Sequence, residues 1–184
     1  MKKTLIFGLL FFSMISYGQI QADNTKKLLT SKYHGIYSYG KDVEKSRIGT
    51  IFIYPETDST ILFYIDLNRG APSYNMGSRY GQLRINNGSG TFYTKLNSSD
   101  KGCKLTFLFS KKILTIKTAD EQGECGFGYA VFADGIFKRT TNKMHDYFED
   151  MEGKKIYFKK QSQKTIIRND KCLDVINGAN STTP

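Results

Sequence analysis

The chain has 184 residues, and its 27 basic side chains outnumber the 17 acidic ones to give a formal net charge of +10. This length suits one domain with one sizeable core. After residue 18, no apolar run approaches the roughly 20 residues of a membrane-spanning helix, so the sequence predicts no transmembrane domain. A basic surface favours anionic partners, although scattered lysines also serve solubility alone.

The first 18 residues have the three parts of an export signal. Lys2 and Lys3 give a positive start, Thr4 to Ile15 form an apolar run, and Ser16 and Gly18 place small residues before a cleavage site. The run of twelve residues is too short to anchor the chain in a membrane. We therefore expect cleavage after Gly18, export to the periplasm or the extracellular space, and a formal charge of +8 once the two lysines leave.

Composition divides the remaining chain into three parts. Residues 19–32 are polar and predict a leader with at most one turn of helix. Residues 33–158 carry recurrent strand signals and predict one β domain. Residues 159–184 are polar again and predict a weakly ordered C-terminal tail.

Short runs of β-branched and aromatic residues recur through the β domain, separated by clusters of Gly, Asn, Asp and Ser. This spacing is typical of successive antiparallel strands. The predicted strands are 34–39, 48–54, 60–67, 80–85, 91–96, 103–109, 113–118, 129–132, 136–139 and 154–158. Residues 147–151 are predicted to form a helical turn. About nine or ten strands without a long helix predict an all-β antiparallel barrel or sandwich, and the periodicity does not choose between them.

Alternation along the predicted strands indicates that the sheet has one buried face and one wet face. In the strand 103–109, the side chains at alternate positions share a face, because successive side chains point to opposite sides of a strand. They are Cys103, Leu105, Phe107 and Phe109. In the strand 113–118, Leu114 and Ile116 share the corresponding face. Antiparallel sheets allow such a division.

Three cysteines remain in the chain, and an oxidising compartment favours a disulfide between two of them. Cys103 and Cys125 flank a predicted hairpin, so we expect one disulfide between them. Cys172 is then left over in the polar tail. A bond between Cys125 and Cys172 remains an alternative at this stage.

The residue types needed for catalysis do not combine into a site. His34 and His145 belong to no nucleophile motif, and Ser73 lacks the Gly-x-Ser-x-Gly turn. The acidic residues between 146 and 152 lack the spacing of a calcium loop and predict a solvated face. We expect no enzyme activity, no metal and no cofactor. Nucleic acid is a poor partner for an exported protein despite the charge.

Two glycine-rich segments stand out from the strands. The first, 68–81, is longer than a hairpin connection needs to be and carries residue types that are favoured at interfaces. Its candidate binding residues are Arg69, Tyr74, Asn75, Met76, Arg79 and Tyr80. The second, 123–135, places glycines around Cys125, and we interpret it as packing beside the disulfide.

A pattern of residues between Cys103 and Arg139 resembles a known module. Cys103 opens a strand, Cys-Gly-Phe-Gly follows at 125–128 and Ala-Asp-Gly at 133–135, and Phe137 and Arg139 end the pattern. This order is similar to that of a small β module of secreted and periplasmic bacterial proteins, including lysozyme-inhibitor-like proteins. The resemblance covers about a fifth of the chain and implies a binding or inhibitory role.

The sequence therefore predicts an exported, noncatalytic binding module, and its segment from Cys103 to Arg139 resembles lysozyme-inhibitor-like proteins. Its expected partner is an unidentified protein or an anionic component of the cell envelope. Two alternatives remain: a β-barrel that binds a small molecule or a lipid, and an envelope-associated structural protein held by charge.

Overall fold

A computed structural model of the chain describes residues 27–95, 101–119, 125–150 and 152–161. The predicted signal peptide, most of the leader, Cys172 and most of the predicted tail lie outside these residues. Within the described ranges, no helix is long and apolar enough to span a membrane.

The described residues form ten strands, preceded by a short 3₁₀ helix at Leu29–Tyr33. Residues 158–161 are helical. The strands are β1 (Gly35–Tyr39), β2 (Ile48–Pro55), β3 (Thr60–Asn68), β4 (Met76–Arg84), β5 (Ser89–Thr94), β6 (Cys103–Ser110), β7 (Ile113–Thr118), β8 (Gly135–Thr141), β9 (Tyr147–Glu149) and β10 (Lys155–Tyr157). The all-β prediction and its strand number are confirmed.

Strands β1 to β8 form one antiparallel sheet in the order β4-β3-β2-β1-β8-β7-β6-β5. Most strands pair with their neighbour in sequence, and β1 also pairs with β8, which curls the sheet into a nearly closed barrel. Periodicity left a barrel and a sandwich open, and the structure shows a barrel-like sheet. A seam remains between β4 and β5, which are joined by a tight turn with a single bridge from Asn86 to Ser89.

The inside of the barrel is filled by apolar side chains from alternate positions of the strands. On β6, Cys103, Leu105 and Phe107 are buried while Lys104 and Leu108 are exposed, as the alternation predicts. The largest of the fully buried side chains inside the barrel are Tyr37, Phe63, Phe107, Phe137, Ile51, Ile61, Ile65, Leu67, Leu105 and Leu114. Removal of these apolar side chains from water is the main favourable contribution to the stability of the barrel.

A second apolar cluster lies on the outer face of β2, β3 and β4. The β9–β10 hairpin covers this face, and Phe148 stacks on Tyr64 with ring centroids 3.9 Å apart. Phe158 stacks on Tyr54 at 5.2 Å. Strand β3 is consequently buried on both faces from Ile61 to Ile65.

Two predictions of local structure are wrong. Residues 147–151 were predicted as a helical turn, but Tyr147–Glu149 form β9, because Phe148 alone of its three residues turns to the outer apolar cluster. The predicted strand 154–158 becomes β10, which pairs with β9 and not with the barrel. The predicted strand 129–132 is a turn and a loop, because Ala130 has a positive φ of 56° that extended backbone cannot accommodate.

The disulfide between Cys103 and Cys125 is confirmed. It joins the first residue of β6 to the connection between β7 and β8, across 22 residues of sequence. The bond thus fixes a residue within this long connection to the wall of the barrel.

We expect the double variant Cys103→Ser/Cys125→Ser to lower the free energy of unfolding by about 2–5 kcal/mol, because the unfolded chain gains the freedom that the bond removes. Urea denaturation monitored by circular dichroism measures the change. Cys172→Ser is the control, since Cys172 takes no part in this bond. An equal loss of stability in both proteins would contradict the assigned role of the bond.

Candidate binding surface at the long-loop end of the barrel

The connections between the barrel strands differ in length at the two ends of the barrel. Three tight connections, 56–59, 85–88 and 111–112, lie at one end. The other end, which we call the long-loop end, carries the connections 40–47 and 69–75 and the described parts of the β5–β6 and β7–β8 connections, namely 95, 101–102, 119 and 125–134. Long loops held by a rigid barrel are a common position for binding residues.

The connection 69–75 is folded on itself and tied to the neighbouring loop. The Asn68 side-chain oxygen accepts a hydrogen bond from the Gly70 N–H at 2.7 Å, and the Arg69 N–H donates to the Asn75 carbonyl at 2.9 Å. The Ala71 N–H donates to the carbonyl of Val43 at 3.0 Å. Because its backbone groups are paired, this loop holds a defined shape.

Side chains also join these two loops. The Tyr74 hydroxyl donates a hydrogen bond to the Glu44 carboxylate. Tyr74 has a positive φ of 51°, which directs the chain back towards β4. The hydrogen bond raises the pKa of the Tyr74 hydroxyl above its usual range, because the neighbouring carboxylate disfavours the phenolate.

Residues 125–131, which we call the seam segment, lie along the edge of β4. The Gly128 N–H donates to the Met76 carbonyl at 3.0 Å, and the Asn75 side-chain amide donates to the Tyr129 carbonyl at 2.8 Å. The guanidinium of Arg79 donates to the Cys125 carbonyl, with its Nε at 3.1 Å. The two glycine-rich segments singled out in the sequence, 68–81 and 123–135, are therefore joined by hydrogen bonds.

Glycines on the inner face of β4 make room for the rings that fill the seam. A Cβ at Gly77 would lie 2.8 Å from the side chain of Phe127, and a Cβ at Gly81 would lie 2.5 Å from the ring of Phe92. Phe92 in turn packs edge-on against Phe63, with ring centroids 5.0 Å apart. Neighbouring strands elsewhere in the sheet are joined by backbone hydrogen bonds, whereas packed side chains fill the seam between β4 and β5.

Arg79 is half-buried beneath the seam segment. Desolvation lowers the pKa of its guanidinium from the usual value, since burial disfavours the charged form. The Cys125 carbonyl compensates in part by accepting hydrogen bonds from the guanidinium. We conclude that Arg79 anchors the seam segment and is not available to a partner.

The far end of the same connection is held by Asp134, just before β8. Its carboxylate accepts hydrogen bonds from the Thr118 N–H, at 2.9 Å, and from the Thr118 hydroxyl. The connection between β7 and β8 is thus fixed at both Cys125 and Asp134. The Ala-Asp-Gly triplet of the sequence pattern contributes to this anchor.

Large side chains are left in solvent on the outer side of the fixed loops. Tyr129 is 85% exposed and Phe132 is 60% exposed, while Tyr74 and Met76 are also exposed. We call these four side chains the aromatic surface. A cleft of 20 Å³ lies beside it, lined by Tyr39, Arg47, Leu67, Asn68, Arg69, Ala130, Val131 and Phe132. That volume holds about one water molecule, so this cleft is too small for an organic ligand.

Arg47 and Arg69 line the same cleft as Phe132 of the aromatic surface. The Arg47 guanidinium lies over the ring of Tyr39, 5.4 Å from its centroid. This cation–π contact directs a planar group with several donors towards the cleft. The rim of the aromatic surface is therefore cationic on this side.

The six candidate binding residues of the sequence analysis do not form a single surface. Arg69, Tyr74 and Met76 are exposed at the long-loop end, beside Asn75. Arg79 faces inward under the seam segment. Tyr80, the next residue, faces the outer aromatic cluster, with its ring centroid 5.7 Å from that of Phe148.

Sequence reasoning missed Tyr129 and Phe132, which it assigned to a strand. The signal that could have identified them is the sequence Cys-Gly-Phe-Gly-Tyr at 125–129. Glycines on both sides of Phe127 break an extended run and favour a loop that presents aromatic rings.

A polar contact joins the fully buried Tyr37 of β1 to Arg139 of β8, beside the connection 111–112. The Arg139 Nε donates to the Tyr37 hydroxyl at 2.9 Å, and that hydroxyl donates to the Tyr33 carbonyl at 2.9 Å. Burial raises the pKa of Tyr37, and the hydrogen bond and charge of Arg139 partly oppose this shift. Arg139, which belongs to the sequence pattern, therefore satisfies a buried hydroxyl.

Among the described residues, no group of three or more His, Cys, Asp and Glu side chains is placed to hold a metal ion. No protein-family model matches the chain, and no curated protein or solved structure matches it.

We expect Arg79→Ala to lower the free energy of unfolding by about 1.5–3 kcal/mol, because it removes hydrogen bonds from a charged donor and leaves the Cys125 carbonyl without them. The matched control is Arg84→Ala on the same strand, where the side chain is exposed and the expected change is within about 0.5 kcal/mol. Urea denaturation compares them. Similar losses in the two variants would show that Arg79 is not an anchor.

Proposed function

We propose that the protein is an exported, noncatalytic binding module that holds another protein through its aromatic surface. The observation that carries this proposal is the exposure of Tyr129 and Phe132 on a backbone fixed at both ends. Contiguous exposed apolar side chains on a folded protein mark interaction sites. Tyr and Phe bury a large area on binding, and their few rotatable bonds limit the entropy that binding removes.

The composition of this surface supports a protein partner. Aromatic residues, Met and Arg are enriched in the buried cores of protein interfaces. The aromatic surface combines two tyrosines, a phenylalanine and a methionine, with Arg47 and Arg69 at its rim. A partner would bury the aromatic rings at its centre and pair acidic groups with the two guanidiniums at its edge.

The anchoring of the loops supports tight binding. The disulfide, the Gly128–Met76 hydrogen bond and the Asp134–Thr118 contacts fix the loop before a partner arrives. A surface that is ordered in advance loses less conformational entropy on association. The disulfide also agrees with the predicted export signal, since such bonds persist in oxidising compartments.

The partner class that we propose is a lysozyme-type cell-wall hydrolase. Its support is the resemblance of the pattern from Cys103 to Arg139 to lysozyme-inhibitor-like modules. Several residues of this pattern serve the aromatic surface: Cys125 and Asp134 fix the segment that presents it, and Gly128 pairs with β4.

The alternative of a barrel that binds a small molecule or a lipid gains no support from the interior. Eighteen buried residues, including Tyr37, Phe63 and Phe107, form the inner cluster. Such a ligand would have to displace these packed side chains, which is costly in a close-packed core. We therefore place binding on the outside of the long-loop end.

We expect Tyr129→Ala and Phe132→Ala each to weaken partner binding at least tenfold, as loss of a central aromatic anchor does. The partner is first crosslinked and identified from the envelope fraction, and lysozyme is tested in parallel through its hydrolysis of cell-wall substrate. Titration calorimetry then measures the affinity of each purified variant.

Tyr157→Ala is the matched control, because Tyr157 is an exposed tyrosine on β10, outside the long-loop end. It should bind as the unmodified protein does. If the identified partner binds all three variants equally, the aromatic surface is not its site. If the protein binds a partner other than lysozyme and the two variants lose affinity as expected, the aromatic surface stands as the binding site. The proposal that the partner is a lysozyme-type hydrolase is then rejected.

A further inference from the structure

A second surface is formed by the outward side chains of β6, β7 and β8. Three exposed aliphatic residues lie on it: Leu108, Ile113 and Ile136, the last with 61% of its area exposed. Four exposed lysines surround them, namely Lys111, Lys112, Lys117 and Lys138. We call these seven side chains the basic face.

The strand register shows that the three aliphatic side chains are neighbours. Leu108 pairs with Thr115, and Thr115 pairs with Ile136, so these residues form a row across the three strands. Ile113 lies in the next row, beside Lys138. Strands are spaced by about 4.8 Å, which places the three apolar side chains within about 10 Å of one another.

The charged side chains on β6, β7 and β8 themselves are all basic, and Asp134 lies just before β8. The described segments 85–95, 101–119 and 135–141 contain eight basic residues and no acidic one. The acidic residues of the described chain lie in the connections 40–47 and 56–59, on β3, at Asp134, and in and beside the β9–β10 hairpin. A surface with this field attracts an anionic partner.

The two outer halves of the barrel differ in what covers them. The apolar side chains on β2 to β4 lie under the chain's own hairpin through Phe148 and Phe158. The aliphatic side chains of the basic face are in solvent. A partner for this face must therefore satisfy lysines at the rim and apolar side chains at the centre.

We infer that the basic face docks on an anionic phospholipid surface. Lysines near such a surface are attracted by its negative potential, and aliphatic side chains gain by entering the boundary between headgroups and acyl chains. A soluble polyanion supplies the charge but has no apolar layer for Leu108, Ile113 and Ile136. Single-stranded nucleic acid binds chiefly by stacking bases on aromatic side chains, and the centre of this face is aliphatic.

The test uses the purified protein and vesicles of phosphatidylcholine with and without about 30 mol% phosphatidylglycerol, an anionic lipid that gives the vesicle a negative surface potential. Sedimentation should show binding only to the anionic vesicles, and binding should be largely lost at about 0.5 M salt, where exposed charges are screened. Equal binding to pure phosphatidylcholine, or none to the anionic vesicles, would overturn the inference.

Substitutions separate this face from the net charge of the molecule. Lys117→Gln/Lys138→Gln should weaken vesicle binding about 30-fold. The matched control Lys154→Gln/Lys155→Gln removes the same charge beside β10 and should change affinity little. An equal loss in the two double variants would assign binding to net charge and overturn the inference.

Ile136→Ser tests the apolar part of the inference and should weaken vesicle binding about fivefold. Unchanged affinity in this variant, with the lysine effect intact, would show that charge alone holds the face on the vesicle, and would overturn the claim that its aliphatic side chains enter the membrane boundary. Tyr129→Ala should bind vesicles normally, so failure of either proposal can be told from failure of the other. Each substituted side chain is exposed, and a thermal melt checks that every variant remains folded.

Discussion

The barrel depends on how the seam between β4 and β5 is closed. β4 pairs with β3 along its whole length, but towards β5 the described bridge is confined to the turn. An unpaired strand edge exposes backbone groups and invites association with other chains. Here the Gly128 N–H donates to the Met76 carbonyl, and the Arg79 guanidinium donates to the Cys125 carbonyl. The ring of Phe127 occupies the space beside Gly77, where a Cβ would clash. The seam segment thus completes the wall, and the disulfide fixes its first residue to β6.

This solution has a consequence for function. The seam segment directs Phe127 and Val131 towards the core, while Tyr129 and Phe132 remain in solvent. The backbone that seals the barrel therefore also presents Tyr129, and Phe132 directly follows the seam segment in the chain. On the other side of the sheet, the β9–β10 hairpin covers an aromatic strip that would otherwise be exposed. The chain covers two apolar parts of its barrel with its own segments, and the aromatic surface and the basic face are where we propose that partners bind.

Local pattern in the sequence was sufficient for the eight strands of the barrel and for the disulfide, but not for β9 or for the loop at 129–132. Alternation along 103–109 identified the buried face of β6, and the position of Cys103 and Cys125 around a hairpin identified the bond. Local pattern could not predict closure of the sheet, because β1 pairs with β8 across about a hundred residues of sequence. The hydrogen bond between Tyr37 and Arg139 is an example of such a distant contact. The candidate site was only partly predictable. β4 begins at Met76, four residues before the predicted strand, so Arg79 and Tyr80 lie in a strand and face opposite sides of it.

Residue-resolved hydrogen exchange on the oxidised protein and on the Cys103→Ser/Cys125→Ser variant tests most directly whether the seam segment closes the barrel. The Gly128 amide donates to Met76, and the Val131 amide donates to Gly128. When the disulfide is absent, we expect these two amides to lose protection from exchange at least tenfold more than the amides of β2 and β3. Unchanged protection at Gly128, or an equal loss in all strands, would contradict this account of the fold and of the surface built on it.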